Sequence, residues 1–157
     1  MKEKQEIQLR MTKDGSYTLY LPELDETYHS THGALQEAEY IFIAKGFTYL
    51  SENKTEIRIL EIGFGTGLNA ILTLSKANQL GIKTHYTTLE PYPLAYALVS
   101  ELNYPSFLDT LGKDNFEKIH CCDWEKNHVL NSFFSFQKHQ IRLQDLNLNP
   151  HSFDLIY

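Results

Sequence analysis

Residues 61–67 read EIGFGTG: one carboxylate, then glycines at positions 63, 65 and 67. The run before them, 57–62 (IRILEI), has the branched apolar make-up of a buried strand, and the stretch from about Leu68 to Ala77 reads as a helix. A strand, a glycine-rich turn and a helix make a ligand site at the carboxyl end of a sheet. Missing side chains let a ligand reach the backbone there, and helix-start N–H groups point outward. Two frames fit the turn. Gly65, Gly67 and Ala70 satisfy GxGxxA, the dinucleotide pattern. Glu61, Gly63, Gly65 and Gly67 read E-x-G-x-G-x-G, and an acid at the strand end would repel a diphosphate. Glu90 ends a second apolar stretch, 85–90 (HYTTLE), where either class of nucleoside cofactor takes an acceptor for ribose hydroxyls.

The elements that must position these residues alternate. After 57–62 and its helix come the 85–90 strand and a helical stretch, YPLAYALVSEL, with Pro93 in its first turn and Leu94, Ala97, Leu98 and Leu102 on one face. This βαβα order predicts a parallel sheet with right-handed crossovers. Residues 108–131 give only rough helical turns, NSFFSFQKHQIRLQDL reads as a hairpin around Lys138, and FDLIY is a fourth strand. Upstream, Ile7, Leu9 and Met11, an Asp-Gly turn, and Tyr17, Leu19 and Leu21 predict a β-hairpin. A helix over 33–45 follows, with Ser30 or Thr31 as its cap and Gly46 as its stop. The division expected is a hairpin-plus-helix cap over 1–50 and a Rossmann-like cofactor-binding domain over 51–157. An apolar edge at the fourth strand predicts a longer fold or a second copy, as in a homodimer, covering it.

Composition narrows the class. With 157 residues, 42% of them hydrophobic and 22% charged, the chain can bury a real core as one α/β unit. No apolar run reaches the length of a membrane span and the first twenty residues lack the pattern of a signal peptide, so a cytoplasmic protein is expected. Adjacent Cys121 and Cys122 suit no disulfide framework or spaced zinc motif. A formal charge of −6 argues against a sequence-independent nucleic-acid coat. Residues 14–44 hold six acids and no Lys or Arg, whereas Lys113, Lys118, Lys126, Lys138 and Arg142 fall in the later third, the side on which an RNA would lie.

The E-x-G-x-G-x-G frame resembles the S-adenosylmethionine motif of Rossmann-like methyltransferases, in which the acid helps hold the cationic methionine end. The blocks DGSYTLYLPELDETYHSTHGALQEAEYIF, LEIGFGTGLNAILTL and LEPYPL together resemble the methyltransferase part of the MnmC family. Enzymes of that family methylate the aminomethyl group of wobble 5-aminomethyl-2-thiouridine in tRNA. The resemblance implies S-adenosyl-L-methionine as cofactor and tRNA as partner. It implies that Glu61, Gly63, Gly65 and Gly67 line the cofactor pocket with Phe64, Thr66 and Asn69 among them, that Glu90 takes the ribose, and that Asp145, after an expected IRLQ strand, faces the adenine. Family members continue past the fourth strand with an Asp-Ala-Phe-Ala-Pro-like tract bordering the amine, and some carry a fused FAD-dependent oxidase. Here that strand ends at Tyr157, which places the expected catalytic base beyond it.

Methylating an amine requires an unprotonated nitrogen held in line with the donor, so positioning and proton removal are the protein's task. Asp25, Glu26 and Tyr28, in the Lys/Arg-free loop, are candidates to close over the cofactor and place the amine; a solvated loop with Tyr28 on the core competes equally. His29 and His32 lack a third ligand for a metal and read as hydrogen-bonding or capping groups, as do His120, Cys121 and Asp123. Trp124, Phe133, Phe134 and Phe136 read as sheet-face residues ahead of base-stacking ones. Two other functions stay open: an NAD- or FAD-dependent oxidoreductase, and a non-catalytic module binding cofactor or a partner through the fourth strand.

Overall fold

A computed structural model describes residues 6–157. The hairpin forms as the alternation predicts: β1 (Gln8–Met11) pairs antiparallel with β2 (Tyr17–Leu21). The following loop is not irregular throughout, because β3 (Glu26–Thr27) adds to the far side of β2. That pairing continues past the strand, with Tyr28 N–H donating to Leu19 O at 2.9 Å and His29 N–H to Thr18 Oγ1 at 3.1 Å. Tyr28 and His29 are thereby fixed to the sheet.

Helix α1 spans 34–51, α-helical over Ala34–Glu37 and Tyr49–Ser51 and wound as a wider π-helix over Ala38–Thr48. Two expectations about it are corrected. Its N-terminus is not capped by a Ser30 or Thr31 side chain but by Asp14 from the hairpin turn, whose Oδ2 accepts the Gln36 N–H at 2.9 Å. Burial alone would raise the Asp14 pKa, but hydrogen bonds from Ser16, Gln36 and Thr12 outweigh it and hold the carboxyl at about 2. Nor does Gly46 stop the helix. Gly46 packs instead beside the Tyr157 ring, whose edge would lie in ordinary contact, 3.4 Å, from an added Cβ.

The second sheet runs β6–β7–β5–β4–β8. Strands β4 (Glu56–Ile62), β5 (Lys83–Leu89), β7 (Phe134–His139) and β8 (Leu155–Ile156) are parallel, and β6 (Asn127–Asn131) runs antiparallel to β7. Helix α2 (Leu68–Leu80) joins β4 to β5. From β4 the order grows through β5 to β7 on one side and takes β8 on the other, so the switch point of this Rossmann-like fold lies at the carboxyl end of β4.

Several elements differ from their expected form. The YPLAYALVSEL helix shrinks to α3 (Tyr96–Val99), because Ala95 is extended (φ −65°, ψ 135°) and Pro93 falls outside. Residues 108–131 resolve into α4 (Thr110–Cys121) and β6. The hairpin turns between Asn131 and Phe134, not at Lys138, which sits inside β7. IRLQ is no strand: a turn of 3₁₀ helix, Leu143–Asp145, replaces it, with Arg142 Nε and Nη2 bonded to the Asp145 carboxylate at 2.8 and 3.1 Å.

One hydrophobic cluster fills the interior, drawing Leu19, Leu35 and Phe47 from the first 50 residues and Ile57, Ile71, Tyr86, Phe116 and Phe136 from the rest. Cys121 and Cys122 are free thiols. No described helix is long and apolar enough to cross a membrane.

Candidate cofactor site

The glycine turn lies at the switch point because β4 ends there and α2 begins at Leu68. Gly63, Gly65 and Gly67 all take left-handed φ angles (92°, 48° and 72°), a region costly for side chains with a Cβ. Space adds a separate requirement at two of them. A Cβ at Gly65 would meet the Tyr28 ring at 3.2 Å, and one at Gly67 would lie 2.7 Å from His120 Nε2. At Gly63 a Cβ would meet nothing within 4 Å; it would project into open space beside the turn.

That space is a cavity of about 320 Å³, lined by Glu61, Gly63, Phe64, Gly65, Thr66 and Asn69 from β4 and the turn. Tyr28, His29, Glu37 and Phe42 close it from the N-terminal part. A larger groove of about 710 Å³ runs between α1 and α2 at Ile43, Leu72 and Phe107, away from the glycines. We place the site at the smaller cavity because it holds the unpartnered polar groups.

Glu61 is 2% exposed, and burial pushes its carboxyl up to about 8, against the opposing pull of Thr88, Tyr86 and Asn69 nearby. Its Oε2, the Asn69 Oδ1, the Tyr86 hydroxyl and the Thr88 hydroxyl are all buried and close no hydrogen bond of good geometry among the described residues. Buried polar atoms are seldom left so, and such a group is where a ligand with complementary donors fits. The glycine cradle and these polar atoms fit the polar end of a nucleoside cofactor, and a cationic amino group there would draw the proton off Glu61.

Glu90 follows β5 and is tied back into the turn: its Oε2 accepts the Gly65 N–H at 3.0 Å and its Oε1 the Tyr92 N–H at 2.8 Å. Three other turn N–H groups are also engaged. Those of Gly63 and Phe64 donate to Leu89 O, and that of Gly67 donates to Phe64 O. A diphosphate would therefore meet the Glu90 carboxylate and few free donors, which disfavours the GxGxxA reading.

The N-terminal part contributes two rings. Tyr28 packs over Gly65, and burial first, then the Glu90 charge, raises its phenol pKa, so it stays a donor. His29 bonds Thr66 Oγ1 at 2.7 Å, and burial lowers its pKa, so the imidazole is neutral at pH 7. His120, beneath Gly67, is pushed down to about 4 by burial and by Lys138. Asp25 and Glu26, expected over the cofactor, do not line the cavity; Asp25 is exposed and accepts the Tyr20 hydroxyl at 2.8 Å. Asp145 is exposed in its turn beyond β7 with both oxygens on Arg142.

The basic face is corrected as well. Lys138 is fully buried and donates to Ile119 O at 3.1 Å and His120 O at 2.5 Å, closing the C-terminus of α4, so it meets no phosphate. Lys126 pairs with Asp123 and Arg142 with Asp145, while Lys113 and Lys118 remain exposed. Glu37 and His120 were not among the expected site residues. Glu37 had a readable signal, since it shares a face of α1 with Ile41 at a four-residue spacing; His120 had none.

The chain is 34% identical over 84 residues, 51% of its length, to the tRNA 5-methylaminomethyl-2-thiouridine biosynthesis bifunctional protein MnmC of Acidovorax sp. (strain JS42). It is 31% identical over 106 residues, 62% of its length, to the protein of the same name from Saccharophagus degradans. It spans only a small part of those relatives, 13% and 15% of their lengths. Among solved structures it is similar to MNMC2 from Aquifex aeolicus, with a TM-score of 0.65 and 22% identity over 87% of this chain and 43% of that one. A likeness at that identity speaks for the fold. No family model matches the chain.

Proposed function

We propose, from the premise that this chain is an MnmC relative in sequence and fold, that its glycine-turn cavity binds S-adenosylmethionine for methylation of an aminomethyl group on a tRNA wobble uridine. The observation that carries this reading is the pair of acids at the carboxyl ends of β4 and β5: Glu61, buried with an unpartnered oxygen, and Glu90, bonded to the Gly65 N–H. An ammonium docked beside Glu61 would favour loss of the proton that burial holds there, and Glu90 suits a ribose.

Bound there, such a cofactor would supply a methyl group from a cationic sulfur to an unprotonated amine, and the proton the nitrogen then loses would pass to solvent. This chain's residues bind and exclude water. Glu61 and Asn69 face a cationic amino group, Glu90 offers its remaining lone pairs to ribose hydroxyls, and Tyr28 covers Gly65. The neutral imidazole of His29, held by Thr66, adds no positive charge that would repel a cationic ligand. Thermal unfolding with added ligand tests the reading: S-adenosylhomocysteine is expected to raise the Tm and NADH to leave it unchanged, and the reverse pattern would favour the oxidoreductase.

A further inference from the structure

A second cleft, about 460 Å³, adjoins the cofactor cavity and shares two wall residues with it, Glu37 and Ile41. Its other walls are Ser30, His32, Gly33, Gln36 and Tyr40. We propose that Glu37 is a positioning residue that receives the ammonium form of the amine substrate, and that the cleft takes the flat nucleobase carrying it. This rests on the function proposed above.

The geometry of Glu37 supports the assignment. It is half-buried on the first turn of α1, and its Oε2 accepts the Ser30 N–H at 2.8 Å. That bond fixes the carboxylate and leaves Oε1 to accept from a ligand. Glu37 stands where the two hollows meet, so an amine held there has its ring in the outer one. Tyr40, 62% exposed on the rim, offers an aromatic face for a base to stack on. The Lys45 ammonium, 5.3 Å from the Tyr40 ring centre, adds a cation suited to the phosphate of a nucleotide. Asp25 has none of this: it is exposed and already holds the Tyr20 hydroxyl. Placing the amine on Glu37 also separates two tasks, since Glu61 and Glu90 are left to the cofactor.

The test is a binding measurement on the chain saturated with S-adenosylhomocysteine, using 5-aminomethyluridine and 5-methyluridine nucleosides as probes. The wild-type chain is expected to prefer the amine about tenfold, the worth of one charge-assisted hydrogen bond in a half-buried place. Glu37→Gln keeps an acceptor for the Ser30 N–H but loses the charge, so, at saturating S-adenosylhomocysteine, it should erase the preference, read as the ratio of the two nucleoside affinities. Glu37→Asp should restore part of the preference, and Tyr40→Ala should weaken both nucleosides alike. If Glu37→Gln keeps the preference, Glu37 is not the amine's partner. A wild-type chain that binds S-adenosylhomocysteine yet treats the two nucleosides equally overturns this proposal and leaves the cofactor reading standing. One that binds no S-adenosylhomocysteine overturns both.

Discussion

The Gly65 N–H donates to Glu90 Oε2 at 3.0 Å, which joins the turn after β4 to the carboxylate after β5. The bond makes the acceptor at the second strand part of the cradle at the first, and it places negative charge where a dinucleotide would bring a diphosphate. That charge weighs against a diphosphate at a turn whose glycine spacing alone leaves two ligand classes level.

Glu61 should make stability fall with rising pH. Its folded pKa of about 8 stands above the ordinary carboxylate value of 4.5. Between those values the folded state holds a proton that the unfolded state has lost, so stability declines by up to about 1.4 kcal/mol per pH unit and levels off above the folded pKa. Thermal melts from pH 5.5 to 8.5 should show this decline in the wild type and a flatter curve in Glu61→Gln. Parallel curves would remove Glu61 as the cause.

Gly67 and His120 should be energetically coupled. Gly67→Ala meets two costs, about 1–2 kcal/mol for a left-handed residue with a Cβ and a steric one from His120 Nε2, 2.7 Å from the added atom. Combining it with His120→Ala relieves only the second. Denaturant unfolding of the four proteins should give a coupling of about 1 kcal/mol, and additive losses would mean that the imidazole moves aside freely.

Lys138 should matter to stability as an α4 cap. Lys138→Met leaves the Ile119 and His120 carbonyls without their donor and should cost about 1–3 kcal/mol in denaturant unfolding. Lys126→Ala, at an exposed pair with Asp123, should change stability little. Equal effects would show that the buried contact carries no weight.

The geometry around the glycine turn was legible because it is local. The glycines take left-handed backbone, the strand and helix flank them directly, and Glu61 and Glu90 lie at the carboxyl ends of β4 and β5. What sequence misplaced depends on distant partners or ambiguous alternation. Gly46 reads as a helix stop, yet the helix runs on through it to Ser51. Asp14 caps a helix some twenty residues on, across a hairpin turn no helix rule would consult. In FSFQKH the inward positions are Phe134, Phe136 and Lys138, and the strand's period of two was correct; the hairpin was expected to turn at this lysine, whereas α4's carbonyls accept it in the interior. Ile141 and Leu143 alternate like a strand, but the Arg142–Asp145 pair closes a turn instead.

The most direct measurement is calorimetric titration of this chain with S-adenosylhomocysteine beside Glu90→Ala, with NADH as the competing ligand. Saturable one-to-one binding is expected, at least about tenfold weaker in the variant because a ribose acceptor and the Gly65 anchor are lost together, with no heat from NADH. Binding of NADH in place of S-adenosylhomocysteine, or an S-adenosylhomocysteine affinity untouched by Glu90→Ala, would contradict the cofactor reading.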